Sequence, residues 1–402
     1  MRSWKTVYIS ILVAETLAIA GFGTSMPVIP IYLQDMGMHD QATLKFWSGL
    51  IQSVSAIMMA VTSPIWGSLA DSRGRRMMLL RALFGGAIFV GLMAFATEPW
   101  QLLVLRALQG AVTGTVAAAT VLVAGIVPAA QLGVTLGLLQ TGVSVGNSIG
   151  PLIGGVISDF LGRPAAFIAT ALMLIAGGII IMKGVDSDTR KPAEGEQGKI
   201  RMVPDFRTVL SSPILPSLML VTMAIQAATA IPMPMLPLFI QEITPDSTLV
   251  GSTTGIVLGA GAAASAVAAA FIGRISNKLG YAKTLFLCLS GGALMTVPQA
   301  FAANPLQLTL IRVVSMLLLG GAIPTVQALI ASNAPKDKQG AIFGLNTSVA
   351  AIGMAIGPVI GSGVAAIFDF RAVFIAGGIM LGATVAVMRV VAPRVSERTS
   401  RY

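Results

Sequence analysis

One acidic residue, Glu15, lies within a long apolar stretch near the start of the sequence, YISILVAETLAIAGFGTSMPVIPIYL. A second charge, Arg106, interrupts another apolar stretch, and Gln109 follows on the same face if that stretch is helical. An apolar medium favours the protonated carboxyl, whereas a guanidinium nearby favours the carboxylate. A carboxyl group under both influences can exchange a proton near neutral pH. Glu15, Arg106 and Gln109 therefore predict a proton-coupling site that also binds a positively charged group.

Two simpler interpretations of these charges stay open. Glu15 could be permanently protonated and hydrogen-bonded to a backbone carbonyl. Arg106 could cap the carbonyls of a broken helix, and Arg312 could do the same at the matching position of the second half. At a rise of about 1.5 Å per residue, Glu15 and Arg106 differ by about 8 Å in depth. A direct salt bridge between them is therefore not required, and Gln109 or a water molecule could bridge them.

The composition places these charges in a lipid bilayer. Of the 402 residues, 55% are hydrophobic and only 10% are charged, whereas about a quarter of the residues are charged in soluble domains. The single Cys, Cys288, and the single His, His39, exclude a disulfide framework and a cluster of Cys and His metal ligands. We therefore expect an all-α membrane protein with no cofactor and no metal site.

Twelve apolar segments approach or exceed the length of about 20 residues that spans a bilayer. They cover residues 7–33, 45–70, 77–97, 99–124, 131–158 and 164–183 in the first half, and 213–240, 250–275, 283–302, 305–331, 340–367 and 372–391 in the second. The polar segment between the halves, residues 184–212, predicts a mobile cytoplasmic linker.

The distribution of Lys and Arg predicts the orientation of these spans. If the N-terminus is cytoplasmic, the external loops hold Lys45, Arg163 and Arg371 of the 26 basic residues, and Arg106 and Arg312 lie deep within spans. The positive-inside rule therefore predicts that both termini are cytoplasmic. The net charge of +10 follows from this topology, so it does not indicate a nucleic-acid partner.

The two halves of the chain repeat each other. Three segments return in order at an offset of 206 or 207 residues: MPVIPIYLQ (26–34) as MPMLPLFIQ (233–241), PWQLLVLR (99–106) as PLQLTLIR (305–312), and SIGPLIGG (148–155) as AIGPVIGS (355–362). The repeat predicts two six-helix bundles, residues 1–183 and residues 213–402 with a short cytoplasmic tail. Because the first span has a counterpart in the second half, we interpret it as a structural helix and not as a cleaved signal peptide.

Four short motifs carry a family resemblance. They are Gly21 with Pro27 and Pro30; GSLADSRGRR with Gly67, Asp71, Gly74, Arg75 and Arg76; RALQG at 106–110; and GNSIGPLIGG with Gly146, Gly150, Pro151, Gly154 and Gly155. Together with the parallel repeat of six spans, they resemble the drug:proton antiporter branch of the major facilitator superfamily over nearly the whole chain. The nearest resemblance is to twelve-span bacterial multidrug exporters, which implies the major facilitator fold and a bacterial inner-membrane location. Ser72 departs from the family pattern, where Arg is common, and Arg73 comes one residue late.

The resemblance implies a gate role for Asp71. This residue lies at the cytoplasmic end of the second span, and the eleventh span begins near Gly340 on the same side with its positive dipole end. Asp71 could thus latch the two halves together on the inside. The alternative is a plain short turn, in which Arg75 and Arg76 only follow the positive-inside rule.

The fifth span carries the motif typical of antiporters. Gly142, Gly146, Gly150 and Gly154 recur every four residues and form a smooth stripe for close helix contact. Pro151 bends the helix because it removes a backbone hydrogen bond.

The substrate cavity is expected to be apolar and adaptable. The chain has 21 Met, whose flexible side chain suits promiscuous binding surfaces, and only 6% aromatic residues. The candidates for cavity contacts are Met26, Gln52, Met58, Asn147, Gln226, Met233, Met235 and Asn346, although each of them could equally be plain packing.

These features together predict a proton-coupled multidrug efflux antiporter that exports lipophilic, cationic compounds by alternating access. The alternatives are a proton-coupled exporter of one metabolite, such as a sugar or amino-acid derivative, and a non-transporting membrane receptor. The sequence contains no G-x-x-x-x-G-K-[ST] loop, and its one His lies in an external loop, so we expect no enzyme. The expected partners are a small-molecule substrate, protons and the lipid bilayer, with the chain acting as a monomer.

Overall fold

The computed structural model describes residues 3–128, 131–186, 212, 214–244, 247–335 and 339–399, and the regular structure within these ranges is entirely helical. The first half forms α1 (Trp4–Ser25), α2 (Ile29–Asp35), α3 (Gln41–Arg73), α4 (Arg75–Met93), α5 (Pro99–Val112), α6 (Thr115–Ile126), α7 (Leu132–Leu161) and α8 (Arg163–Gly184). The second half forms α9 (Leu215–Ala230), α10 (Leu236–Ile243), α11 (Val250–Leu279), α12 (Tyr281–Thr296), α13 (Pro305–Leu319), α14 (Ala322–Asn333), α15 (Gln339–Ile367) and α16 (Ala372–Thr399). Most of the predicted linker, residues 187–211, lies outside the described residues.

The helices correspond to the predicted spans. Ten helical segments of the described chain are long and apolar enough to cross a membrane. The two other predicted spans, 131–158 and 213–240, correspond to α7 and to α9 followed by α10. The prediction of an all-α protein with twelve spans is confirmed.

Four predicted spans are each built from two helices instead of one. A 3₁₀ turn, Met26–Val28, separates α1 from α2, because Pro27 and Pro30 supply no backbone N–H for a continuous helix. Residues 231–235, with two further prolines, separate α9 from α10 at the matching place of the second half. The third interruption, between α5 and α6, contains no proline and lies at Thr113 and Gly114. The fourth, between α13 and α14, lies at Gly320 and Gly321.

The start of α3 is capped by an acidic side chain. Asp40 accepts a hydrogen bond from the backbone N–H of Thr43 at 2.8 Å and another from its hydroxyl at 2.5 Å. The hydroxyl and backbone N–H of Thr43 hold the pKa of Asp40 below its ordinary value, since they stabilise the carboxylate. This exposed cap defines where the second span begins.

The chain packs into two units, which correspond to the two sequence halves except at the ends of two helices. Unit 1 contains Met1–His39, Val54–Ile200 and Asp246–Gly259, and unit 2 contains Asp40–Ser53, Arg201–Pro245 and Ala260–Tyr402. The first turns of α11 therefore pack within unit 1, and the first turns of α3 pack within unit 2.

The hydrophobic cores of the two units use equivalent positions of the repeat. In unit 1, buried Ile11, Ala14, Leu83, Leu122 and Leu174 belong to one cluster. At an offset of 206 or 207 residues they return in the cluster of unit 2 as Leu218, Val221, Leu289, Leu329 and Leu381. The sequence repeat thus reflects a repeated pattern of burial.

A repeated ion pair joins α2 to α8 and α10 to the start of α16. The Arg163 Nε lies 3.3 Å from the Asp35 Oδ2 in unit 1. The Arg371 Nη2 lies 3.6 Å from the Glu242 Oε1 in unit 2. Because these side chains are about a third or more exposed, each pair contributes about 1 kcal/mol or less to stability.

Candidate functional site

Glu15 is a buried acid in unit 1 with one hydrogen-bonded oxygen. Its residue surface is only 1% exposed. The Thr115 hydroxyl donates to the Glu15 Oε1 at 2.9 Å, and Oε2 has no hydrogen-bond partner in the part of the chain that the structure describes. A buried carboxyl oxygen without a donor is costly as a carboxylate but can carry a proton or face a cation.

The partner of Glu15 is placed by a break in the fourth span. Gly114 has φ +119° and ψ 42°, a left-handed conformation that stops α5 and lets α6 begin at Thr115. In a continuous helix, the Ala111 carbonyl would accept from the backbone N–H of Thr115. Thr115 is instead the first residue of a new helix, and its side chain points at Glu15.

Side chains of α3 stabilise this break by bonding to the last turn of α5. The carbonyl of Ala111 accepts hydrogen bonds from the Thr62 hydroxyl at 2.9 Å and from the Trp66 Nε1 at 2.5 Å. Gly110 lies so close to Ser55 that a β-carbon there would overlap the backbone of α3. The carbonyl left free by the break is therefore satisfied within the protein, as a membrane interior requires.

Arg106 belongs to a second polar cluster, on α5. Its Nη1 donates to the Gln109 Oε1 at 2.9 Å, and the Ser55 hydroxyl donates to the same oxygen at 3.3 Å. Gln109 in turn donates to the Thr113 hydroxyl at 3.4 Å. Arg106 is 6% exposed, and its Nε has no partner among the described residues.

The structure thus brings Arg106 and Gln109 together but does not join them to Glu15. Among the described residues no ion pair links Glu15 to Arg106, and no hydrogen bond links Gln109 to Glu15. The two clusters lie on the two sides of the helix break, since Thr113 ends the first and Thr115 begins the second.

The glycine stripe of α7 packs against the helix that carries Glu15. A β-carbon at Gly146, Gly150 or Gly154 would overlap the backbone of α1, next to the carbonyls of Thr16, Ala20 and Thr24 respectively. Thr24 also donates its hydroxyl to the Gly150 carbonyl at 3.1 Å.

The end of the same motif faces another helix. A β-carbon at Gly155 would overlap the backbone of α11 at Gly251 and Ser252. Pro151 lies between Gly150 and Gly154 and is buried inside α7. The motif therefore lets two different helices approach α7 closely.

Asp159, near the end of α7, is engaged with the first turn of α11. Its Oδ1 accepts from the backbone N–H of Gly251 at 3.0 Å, and its Oδ2 accepts from that of Ser252 at 2.6 Å. A carboxylate at a helix N-terminus is favourably placed in the field of the helix dipole.

The first-helix motif serves the packing of unit 1. Thr170 of α8 donates its hydroxyl to the Gly21 carbonyl at 2.7 Å, so that α8 lies close to α1 at this point. Pro27 lies in the 3₁₀ turn, and Pro30 is buried in the first turn of α2.

The gate motif is described only in part. Gly67 and Asp71 fall within α3, but their surroundings lie outside what the structure describes. Gly74 has φ +93° and starts α4. Arg75 donates to the Val121 carbonyl at 3.2 Å and Arg76 donates to the Met182 carbonyl at 2.7 Å, so these two residues connect α4 to α6 and α8.

The cavity candidates differ in how much of their surface is accessible. Met26 and Asn147 are exposed, Met58, Gln226 and Met233 are half-buried, and Gln52, Asn346 and Met235 are buried. Met235 has no exposed surface, so it packs in the core of unit 2 in this structure. The Asn346 Oδ1 is buried and has no described partner.

Reasoning from the sequence missed the residues that hold Glu15 and Arg106. Thr115, Gly114 and Ser55 were not predicted as site residues. The run Thr113–Gly114–Thr115 within an apolar span was the available signal, because a glycine between two hydroxyl residues can interrupt a membrane helix.

Comparisons with known proteins agree with this architecture. The family model described as Major Facilitator Superfamily matches residues 11–248 and 218–401. Multidrug resistance protein MdtG of Yersinia enterocolitica is 35% identical over 355 residues, which cover 88% of this chain and 85% of that protein. MdtG of Proteus mirabilis is 33% identical over 373 residues, 93% of this chain and 92% of the relative.

Two solved structures share the fold at low sequence identity. A bacterial homologue of the human lysosomal transporter Spinster, in an inward-facing and occupied conformation, superposes with a TM-score of 0.76 at 13% identity, covering 100% of this chain and 98% of that one. The nucleoside transporter NupG superposes with a TM-score of 0.74 at 13% identity, covering 96% and 98%.

Proposed function

Because the chain belongs to the major facilitator superfamily, a family of membrane transporters and not of enzymes, we propose that it is a proton-coupled multidrug efflux antiporter. Its substrates in this proposal are lipophilic cations, exported by alternating access. The multidrug assignment rests on relatives that are named multidrug resistance protein and that match this chain over most of their length. The proton coupling rests on this chain's own residues.

The observation that carries the coupling proposal is the state of Glu15. One oxygen is held by Thr115, while the other is buried without a described partner and without a described basic residue in salt-bridge range. A proton on the second oxygen neutralises the group in the absence of substrate. A cationic substrate replaces the proton, because two positive charges cannot both be neutralised by one carboxylate.

Arg106 supports this exchange because it makes no described contact with Glu15. Its one described hydrogen bond goes to Gln109, so its guanidinium does not neutralise the carboxylate directly. A permanent salt bridge would already neutralise the carboxylate of Glu15, which would then bind neither a proton nor a cation. The positive charge of Arg106 instead favours the carboxylate form of Glu15, and so helps Glu15 to release its proton when substrate arrives.

The topology and the gate are parts of the same proposal. The distribution of Lys and Arg supports cytoplasmic termini. In this proposal the chain acts as a monomer in a bacterial inner membrane. Asp71 keeps its proposed role as an inner latch on the strength of its motif, and Arg75 and Arg76 hold the adjacent helices α4, α6 and α8 together.

Transport in proteoliposomes tests the proposal. With an imposed pH difference, the wild type should accumulate the monovalent lipophilic cation tetraphenylphosphonium against its gradient. Glu15→Gln should abolish this uphill movement, because the amide cannot titrate, and Glu15→Asp should keep part of it. Glu98→Gln, at an exposed position, is the matched control and should behave as wild type. Uphill movement by Glu15→Gln would show that the coupling carboxylate lies elsewhere.

A further inference from the structure

Arg312 is a buried guanidinium in unit 2 without an acidic partner among the described residues. It lies on α13 and is 4% exposed. Its Nη1 makes a long hydrogen bond of 3.4 Å to the Gln299 Oε1, and its Nε has no partner in the described chain. A guanidinium has five N–H donors, so most of its hydrogen-bonding capacity is unused.

The acidic residues described in unit 2 do not account for this charge. The carboxylates of unit 2 whose side chains the structure describes are Asp40, Glu242 and Asp369. Asp40 accepts from Thr43, Glu242 pairs with Arg371, and Asp369 accepts from the backbone N–H of Ala372. An ionised residue deep in a membrane protein is expensive to keep and marks a functional site by default.

The surroundings hold Arg312 in a fixed position beside other polar groups. A β-carbon at Gly261 of α11 would lie 3.2 Å from the Arg312 Nε, so the absence of a side chain there makes room for the guanidinium. Gln299 is 1% exposed and lies on the 3₁₀ turn Val297–Phe301. The hydroxyls of Thr296 and Ser315 lie 3.2 Å apart, and Ser315 follows Arg312 by one helical turn.

We propose that Arg312 and Gln299 form an anion-binding site that receives the carboxylate, or a similar oxyanion, of a substrate. The planar guanidinium fork matches a carboxylate with two parallel hydrogen bonds, which the single long bond to Gln299 does not. The amide of Gln299 can donate to the same anion once its oxygen is released. The site extends the substrate range from lipophilic cations to compounds that carry a negative group.

The site repeats the position of Arg106 with a partner from a different helix. Arg106 and Arg312 are 206 residues apart and both donate Nη1 to a glutamine oxygen. Gln109 follows Arg106 on the same helix, whereas Gln299 precedes Arg312 by 13 residues and lies on the preceding segment. The inference does not depend on proton coupling through Glu15.

Binding of two probes that share one skeleton tests the site. The probes are radiolabelled 4-phenylbutyrate and 4-phenylbutylammonium, measured by equilibrium dialysis with the full-length protein in a non-ionic detergent free of anionic lipid. The wild type should bind 4-phenylbutyrate, and Arg312→Gln should weaken this binding at least tenfold. Gln299→Glu should weaken it to a similar degree, because the new carboxylate occupies the guanidinium from within the protein.

Controls separate loss of the site from loss of the fold. Gln307→Glu makes the same chemical change at an exposed position of α13 and should bind 4-phenylbutyrate as the wild type does. Binding of 4-phenylbutylammonium should be retained in all these variants, which shows that they are folded. Wild-type affinity for 4-phenylbutyrate in both Arg312→Gln and Gln299→Glu would overturn the proposal, as would the absence of binding to the wild type. Loss confined to Arg106→Gln would place the anion in unit 1 and would also overturn it.

Discussion

The hydroxyl of Thr115 donates to the carboxyl group of Glu15 at 2.9 Å, across the contact between α6 and α1. This hydrogen bond attaches the buried acid of the first span to the first residue after the break in the fourth span. Any rearrangement of the break therefore changes the environment of Glu15. A change in the charge of Glu15 in turn changes the strength of its hydrogen bond to Thr115 at the break.

Removing the donor should weaken cation binding. Thr115→Val keeps the shape of the side chain but leaves the carboxylate of Glu15 without a hydrogen bond. Hydrogen bonds to charged groups contribute about 1.5–3 kcal/mol, so we expect tetraphenylphosphonium to bind about tenfold more weakly, or worse, at fixed pH. Thr115→Ser should restore most of the affinity because it restores the donor.

A matched variant on the same helix controls for general effects of this change. Thr120 is half-buried, and its hydroxyl donates to the Val116 carbonyl of its own helix. Thr120→Val should leave affinity unchanged. Equal affinity of Thr115→Val and the wild type would mean that Thr115 does not position Glu15.

The break itself should depend on Gly114. Because its φ is +119°, Gly114→Ala introduces backbone strain of about 1–3 kcal/mol or straightens the helix. We expect a lower Tm of the purified protein together with weaker tetraphenylphosphonium binding. Gly363→Ala is the control, since nothing lies within 4 Å of a β-carbon there and its φ is not positive. A wild-type Tm for Gly114→Ala would contradict the structural role assigned to the break.

The contact between α7 and α1 should tolerate no side chain at Gly150. Gly150→Leu forces the helices apart, because a β-carbon already overlaps the carbonyl of Ala20. Transport of all substrates should be lost alike in proteoliposomes. Gly137→Leu, at an open position of the same helix, should transport normally. Loss of only some substrates in Gly150→Leu would indicate instead that the stripe lines the binding site.

Asp159 should hold the first turn of α11. Asp159→Asn removes the charge and leaves one acceptor oxygen for two N–H groups, so hydrogen exchange at Gly251 and Ser252 should become about tenfold faster. Asp369→Asn is the comparison, because the described hydrogen bond of Asp369 is to Ala372 of its own helix. Exchange in the peptide around Gly251 should not change in that variant. Unchanged exchange in Asp159→Asn would show that the carboxylate does not stabilise this turn.

Much of the architecture could be predicted from the sequence because it depends on properties that add along the chain. Hydropathy identifies the spans, and the offset of 206 or 207 residues identifies the repeat, which the cores confirm in pairs such as Ile11 with Leu218. The break at Pro27 and Pro30 was not predicted, although its cause is local, because a proline has no backbone N–H. Glu15 stood out as a deep acid because a charge inside an apolar stretch is visible in the sequence alone.

The partners of the charged residues were decided only by the tertiary structure. Depth along a span can be counted, but the face that a helix turns to its neighbour follows from packing, here from the glycines of α7 against α1. That packing, with the break at Gly114, places Thr115 at Glu15 and leaves Arg106 with Gln109. It likewise gives Arg312 the partner Gln299 from another segment, where the sequence had suggested none. Hydrogen bonds need atoms within about 3 Å in the right direction, and spacing along one chain cannot specify that between helices.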